Sequence, residues 1–164
     1  YIIGDRLFEQ GMLDYYYAWR FRHPNPDDFF RVMEKTSGLE LDWFKDYYVN
    51  TTYKMDVAVD SVITNKEGKS MIVLSRIEPF PMPIDLIVTL KNGKMLHFNI
   101  PLDLMLGHKE LDKGVKLLEP WHWVSSKYAF TVNEALEDIL SVQIDPKQKM
   151  LDIDISNNKW MPVK

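Results

Sequence analysis

The stretch Ile84-Asp85-Leu86-Ile87-Val88-Thr89-Leu90-Lys91-Asn92-Gly93-Lys94-Met95-Leu96-His97-Phe98-Asn99-Ile100 decides the fold. Ile84, Leu86, Val88 and Leu90 alternate with their neighbours, the period of a strand with one buried face. Asn92-Gly93 follows, and both residues tolerate the positive φ that a type I′ turn demands. Met95 to Ile100 then returns as the partner strand. Asn-Gly between two such runs predicts a β-hairpin.

The same period recurs on both sides. Upstream, Met55, Val57 and Val59 alternate with other residues. Asn65-Lys66-Glu67-Gly68 reads as a turn, and Met71 to Ile77 as a second strand rich in β-formers. Pro79-Phe80-Pro81-Met82-Pro83 is a stiff connector, because three prolines exclude a central strand. Downstream, Tyr128, Phe130 and Val132 alternate, as do Leu140, Val142 and Ile144. Leu151, Ile153 and Ile155 add a short edge, with Asp152 and Asp154 on its solvated face. Leu104 to Ser126 reads either as a long loop or as irregular strands. Short strands separated by turn chemistry predict a β-sandwich over residues 53–164.

Residues 1–52 follow a different period. Phe8, Met12, Tyr15 and Trp19 recur at helical spacing and predict one apolar stripe of an α-helix, expected to be exposed in part when the segment is excised. Pro24 ends that helix by biasing His23 away from helical angles. Asn25 caps a second helix, with Pro26 first and Asp27 and Asp28 in its opening turn. Phe29, Phe30 and Met33 supply its apolar face, and Gly38 suits a left-handed stop. Leu39 to Tyr48 reads as a third helix, capped by Ser37 and Glu40 and carrying Trp43, Phe44 and Tyr47. The fold class is therefore α+β: about three helices, then an antiparallel, immunoglobulin-like β-sandwich.

Composition narrows the function. The chain has 164 residues, 46% of them hydrophobic and 27% charged, so it is built to bury a core. The net charge of −4 comes without a basic stripe, which argues against nucleic acid. Its apolar runs are far shorter than a membrane span. No cysteine is present, which excludes disulfides, thiolate catalysis and zinc–cysteine sites. The opening Tyr1-Ile2-Ile3-Gly4 has no initiator Met and no signal peptide, and reads as cut from a longer polypeptide.

Candidate chemistry is sparse. His23, His97, His108 and His122 include no i, i+4 pair that would face zinc from one helix. Ser125-Ser126 lies near His122, without a nucleophile motif. Asp27 and Asp28 favour a helix start, and Asp152/Asp154 lack the oxygen density of a calcium loop. Trp121-His122-Trp123 puts two tryptophans on one side of an extended segment. They form either a stacking platform for a sugar ring or a pin for a long loop, and the pin is the expectation. No catalytic, cofactor-binding or metal residue is assigned.

The helical half carries a family likeness. Ile3-Gly4, Phe8, Trp19-Arg20-Phe21-Arg22-His23-Pro24-Asn25-Pro26-Asp27-Asp28-Phe29 and Ser37-Gly38-Leu39-Glu40-Leu41-Asp42-Trp43-Phe44 resemble the end of the catalytic domain in the aminopeptidase N family of zinc metallopeptidases. The sandwich half is similar to the β-domain that follows there. Asp145-Pro146-Lys147-Gln148, Asp152 and Ser156-Asn157-Asn158-Lys159-Trp160 resemble bacterial members in which that domain ends the chain. The resemblance implies a parent that holds zinc through His-Glu-x-x-His and a downstream Glu, and reads a substrate amine through Gly-x-Met-Glu-Asn. None of those motifs occurs here. The family's catalytic tyrosine lies upstream, so it is not assigned to Tyr15, Tyr16 or Tyr17.

On this reading the chain is a non-catalytic C-terminal piece that buttresses its own upstream catalytic domain. Zinc is expected in the parent and not here, and the parent is expected to be secreted, periplasmic or in the cell envelope. Self-association of the excised piece is a further expectation. The alternative is an autonomous module that binds carbohydrate or protein.

Overall fold

The computed structural model describes residues 1–162, so Val163 and Lys164 at the end of the expected sandwich lie outside the described residues. Three helices lead the chain: α1 (Asp5–Trp19), α2 (Pro26–Ser37) and α3 (Asp42–Asn50). Eight strands follow: β1 (Val57–Thr64), β2 (Ser70–Arg76), β3 (Ile84–Leu90), β4 (Met95–Ile100), β5 (Val115–Leu117), β6 (Lys127–Val132), β7 (Ile139–Ile144) and β8 (Lys159–Trp160). They form a three-stranded sheet ordered β1-β2-β6 and a five-stranded sheet ordered β5-β4-β3-β7-β8. Every ladder is antiparallel except β4–β5. The chain switches sheets between β2 and β3 and again on either side of β6, which is the Greek-key order of an immunoglobulin-like sandwich.

The central hairpin is present, with a different turn. Leu90 N–H bonds Lys94 O and Gly93 N–H bonds Leu90 O, so the loop holds three residues, Lys91 to Gly93. Gly93 takes φ +86° and Asn92 stays out of the left-handed region. A type I turn closed by one left-handed residue has replaced the type I′ turn. On β3 the expected alternation is kept, with Ile84, Leu86, Val88 and Leu90 buried.

Two other expectations are corrected, and one left open is resolved. On β7 the register shifts opposite Thr89/Leu90, so Leu140 bulges outward while Ile139, Val142 and Ile144 face the core. Residues 151–155 form no ladder strand, and their apolar side chains are exposed along with Asp154. Asp152 turns inward, where its Oδ2 accepts Val57 N–H, while Leu151, Ile153 and Ile155 are exposed. Between Leu104 and Ser126 the chain combines a 3-10 turn, the short β5 and loop.

In the helical segment, α2 is capped as its sequence dictates. Asn25 and Asp28 exchange side-chain and backbone hydrogen bonds, and Gly38 closes the helix at φ +70°. The Ser37/Glu40 capping box does not form, and α3 starts at Asp42. Instead Ser37 Oγ accepts Leu39 N–H and Glu34 Oε1 accepts Leu41 N–H. The apolar stripe of α1 is covered only in part. Gly11 is its buried residue, and a Cβ there would meet Met33 Sδ at 2.5 Å. Close helix approach through Gly11 leaves Phe8 and Met12 in solvent, with Tyr15 and Trp19 half-buried.

One continuous core links the two regions. From α2 and its flanks come Phe30, Met33, Leu39, Leu41 and Trp43. The proline connector adds Phe80 and Met82, stacking Phe80 on Tyr47 at 5.5 Å between ring centroids. The sandwich interior follows, with Ile72, Leu74, Ile84, Leu86, Ile100, Val132 and Ile144.

Candidate functional site

A cleft of about 460 Å³ opens where the start of α1 crosses the outer face of the five-stranded sheet. Its walls come from Tyr1 to Leu7, from β3 and β4 through Asp85, Ile87 and His97, and from the 109–115 and 145–149 loops. Asp85 occupies an outward position of β3, and Lys109 Nζ reaches its carboxylate at 2.5 Å. The same ammonium lies 4.4 Å from the centre of the Tyr1 ring. Asn99 Nδ2 donates to the other Asp85 oxygen at 2.8 Å.

Tyr1 anchors the strand opposite. Its hydroxyl donates to Pro83 O at 3.1 Å and accepts Asp85 N–H at 2.9 Å. Burial, reinforced by the Asp85 charge, holds this phenol well above the usual tyrosine range. Two exposed ion pairs span the mouth, Arg6–Glu110 and Lys149–Asp5. The hydrogen bond from each partner, helped by its charge, pulls Asp5 and Glu110 below the usual carboxylate range. The two ion pairs at the mouth tie the helical segment to the sandwich, the Asp85–Lys109 pair lies within the sandwich, and none pairs a nucleophile with a base.

The residues singled out in the sequence do not converge. His23 and His97 are exposed on α1's exit and on β4. His108 Nδ1 contacts Lys109 O at 2.7 Å, while His122 Nδ1 contacts Asp103 Oδ2 at 3.1 Å. Ser125 Oγ donates to Lys127 O. Asp27 meets Lys45, and Asp28 belongs to the α2 cap. The tryptophan pair is split. Trp121 is 3% exposed and donates to Ser125 O, whereas Trp123 is 45% exposed. The loop pin is therefore Trp121, and a two-tryptophan sugar platform is absent.

Glu34, Glu40 and Asp42 bring oxygen atoms within 4.8 Å of one another. Two of them are occupied as local caps, with Glu34 accepting Leu41 N–H and Glu40 accepting Asp42 N–H. Burial, with the Glu40 and Asp42 charges, raises the Glu34 carboxyl above its ordinary value. The Asp85–Lys109–Tyr1 cluster was not legible in sequence, because its members lie 24 and 84 residues apart and each is an ordinary polar or aromatic residue.

Apolar surface, rather than reactive groups, distinguishes the exterior. Phe8, Met12, Leu13, Tyr16 and Tyr17 are exposed along α1. Further apolar side chains are exposed at the junction: Leu151, Ile153 and Ile155 lie on the segment whose Ile153 N–H bonds Met55 O, two residues past exposed Tyr53. Among the described residues no helix is long and apolar enough to cross a membrane. No protein-family model matches the sequence, and no curated protein matches it.

Proposed function

We propose that this chain is a non-catalytic buttress: the β-sandwich and helical connector of a larger zinc aminopeptidase-like protein, docked against that protein's catalytic domain. The observation that carries the reading is the junction patch. Leu151, Ile153 and Ile155 turn outward on the segment where Asp152 turns inward, and a rimmed apolar patch marks an interaction surface. Tyr53 belongs to the link from the helices and Ile153 to the sandwich, so a partner seated there holds both regions at once. That is the mechanical requirement of a buttress. The burial of Trp121 weighs against the carbohydrate-binding alternative.

Zinc and the machinery that reads the substrate amine are assigned to the catalytic domain of the parent. The test has two arms. The reading frame upstream of Tyr1 is expected to encode His-Glu-x-x-His, and the product of that frame, made separately, is expected to bind this chain. Ile153→Glu should abolish that binding while leaving the fold intact. A frame without the motif ends the aminopeptidase assignment. Binding indifferent to Ile153→Glu ends the docking assignment. The chain alone should hold no zinc after dialysis and hydrolyse no aminoacyl substrate.

A further inference from the structure

We infer that the outer edge of β6 is a peptide-binding site. An extended segment of a partner protein adds there as a strand and sets an apolar side chain, with a basic one beside it, into the adjoining groove. The site lies apart from the junction patch and does not depend on the buttress reading.

Hydrogen-bonding direction defines the edge. β6 ends its sheet and pairs β2 in unbroken register from Ser75↔Lys127 to Ser70↔Val132. Arg76 N–H bonds Ser126 O, so by the alternation of an antiparallel ladder Tyr128 and Phe130 turn their main-chain groups to β2. Lys127, Ala129 and Thr131 turn theirs outward. Lys127 O is taken by Ser125 Oγ. The N–H and C=O groups of Ala129 and Thr131 meet no further strand among the described residues. Such a row is complementary to another extended backbone.

The groove and its charge narrow the occupant. About 370 Å³ lies between Leu118, Pro120 and Trp121 on one side and Tyr128 and Phe130 on the other. Every second side chain of an added strand points to that side. Lys127 is held by Asp60 and His122 by Asp103, whereas Glu119, exposed on the same groove, enters no ion pair among the described residues. Its complement is a Lys or Arg two positions from the apolar residue, on the same face of the added strand. A second copy does not fit these terms. Its own Tyr128 and Phe130 are packed on Trp121 and Phe98, at 5.5 and 5.3 Å between ring centroids, so neither enters the groove. Strand pairing alone would then cover a strip of about 20 Å by 5 Å. That falls well short of the roughly 800 Å² per partner of a standard interface.

A fluorescein-labelled peptide, Thr-Thr-Phe-Thr-Lys-Thr-Thr, tests this by anisotropy with the full chain. It should bind saturably below about 1 mM, and hydrogen exchange at the Ala129 and Thr131 amides should slow. Two further peptides carry N-methyl groups on one or the other alternate set of amides. One should bind like the parent, and the other about tenfold more weakly, because its main chain no longer donates to β6. Ala129→Pro removes an outward donor and spares the β2 ladder, so it should weaken binding at least about fivefold, with circular dichroism confirming the fold. Glu119→Lys should weaken the parent peptide and favour a version with Glu in place of Lys. Absent binding overturns the inference, and so do N-methylated peptides that bind equally well. A dimer of the unaltered chain that Ala129→Pro abolishes would make the occupant a second copy and overturn it too.

Discussion

Helix α1 and strand β3 treat their apolar residues in opposite ways. Over fifteen residues α1 buries Gly11, and it leaves Phe8, Met12, Tyr16 and Tyr17 in solvent. Over seven residues β3 buries Ile84, Leu86, Val88 and Leu90. The difference lies in what each element faces. The inner face of β3 meets a second sheet along its whole length, so every second side chain finds a partner. The main neighbour of α1 is one helix, α2, approached through a glycine, and a single close contact line cannot cover a wide stripe. Apolar periodicity therefore predicts which face an element prefers to bury, and the tertiary neighbours decide how much of that face is covered.

Four substitutions sharpen or break this contrast. Leu86→Ala in the sandwich core should cost about 2–5 kcal/mol, since the side chain is buried between sheets with no route for collapse. Denaturant melts measure it, and a cost below that of an α1 surface change would reverse the comparison. Gly11→Val should come next, at about 1–3 kcal/mol, because its branches enter the space of Met33. Combined with Met33→Ala, the total loss should be smaller than the sum of the two single losses, which a backbone effect alone would not allow.

Gly93→Val should cost about 1–2 kcal/mol, as a β-branched residue is disfavoured at φ +86°. An unchanged midpoint would refute the three-residue hairpin loop. At the other end of the scale, Phe8→Ser should change the stability of the monomer by no more than about 0.5 kcal/mol. A larger loss at low concentration would mean that α1 is better covered than its exposure indicates.

Tyr128 supplies a pH test between these extremes. Burial, helped by the Glu119 charge, pushes its phenol up to about 12, and its hydroxyl donates to Glu119 O at 2.8 Å. The folded value lies above the unfolded one, so this contribution is complete below pH 10 and is lost as pH rises toward 12. Tyr128→Phe should cost about 1 kcal/mol at neutral pH and flatten the alkaline decline. Ultraviolet titration should show one fewer late-ionising tyrosine. A profile identical to that of the unaltered chain would show that Tyr128 is in contact with water.

Much of the architecture was legible because local chemistry dictated it. Asn25-Pro26-Asp27-Asp28 specifies the start of α2, and the β3–β4 alternation specifies a half-buried hairpin. What escaped was set by distance. The Asp152 carboxylate faces inward because Val57 N–H, 95 residues away, is there to meet it. Alternation alone assigns Asp152 to solvent. The register shift that exposes Leu140 depends on the partner strand. The Asp85–Lys109 pair depends on a loop crossing back over the sheet. The outward turn of Leu151, Ile153 and Ile155 was not legible, because alternation alone places apolar residues inward.

The sheet margins carry one more consequence. The five-stranded sheet ends in β5 and β8, which are three and two residues long. One margin of the other sheet, β1, is bent at its register shift beside Asp60, whose carboxylate meets Lys127 on β6. A free margin becomes a template for a foreign strand only when it is long and flat. Three of the four margins are therefore poor templates, and the fourth, β6, is six residues long and pairs β2 without a register shift. A fibril would have to recruit the domain along β6 or after the other margins had come apart.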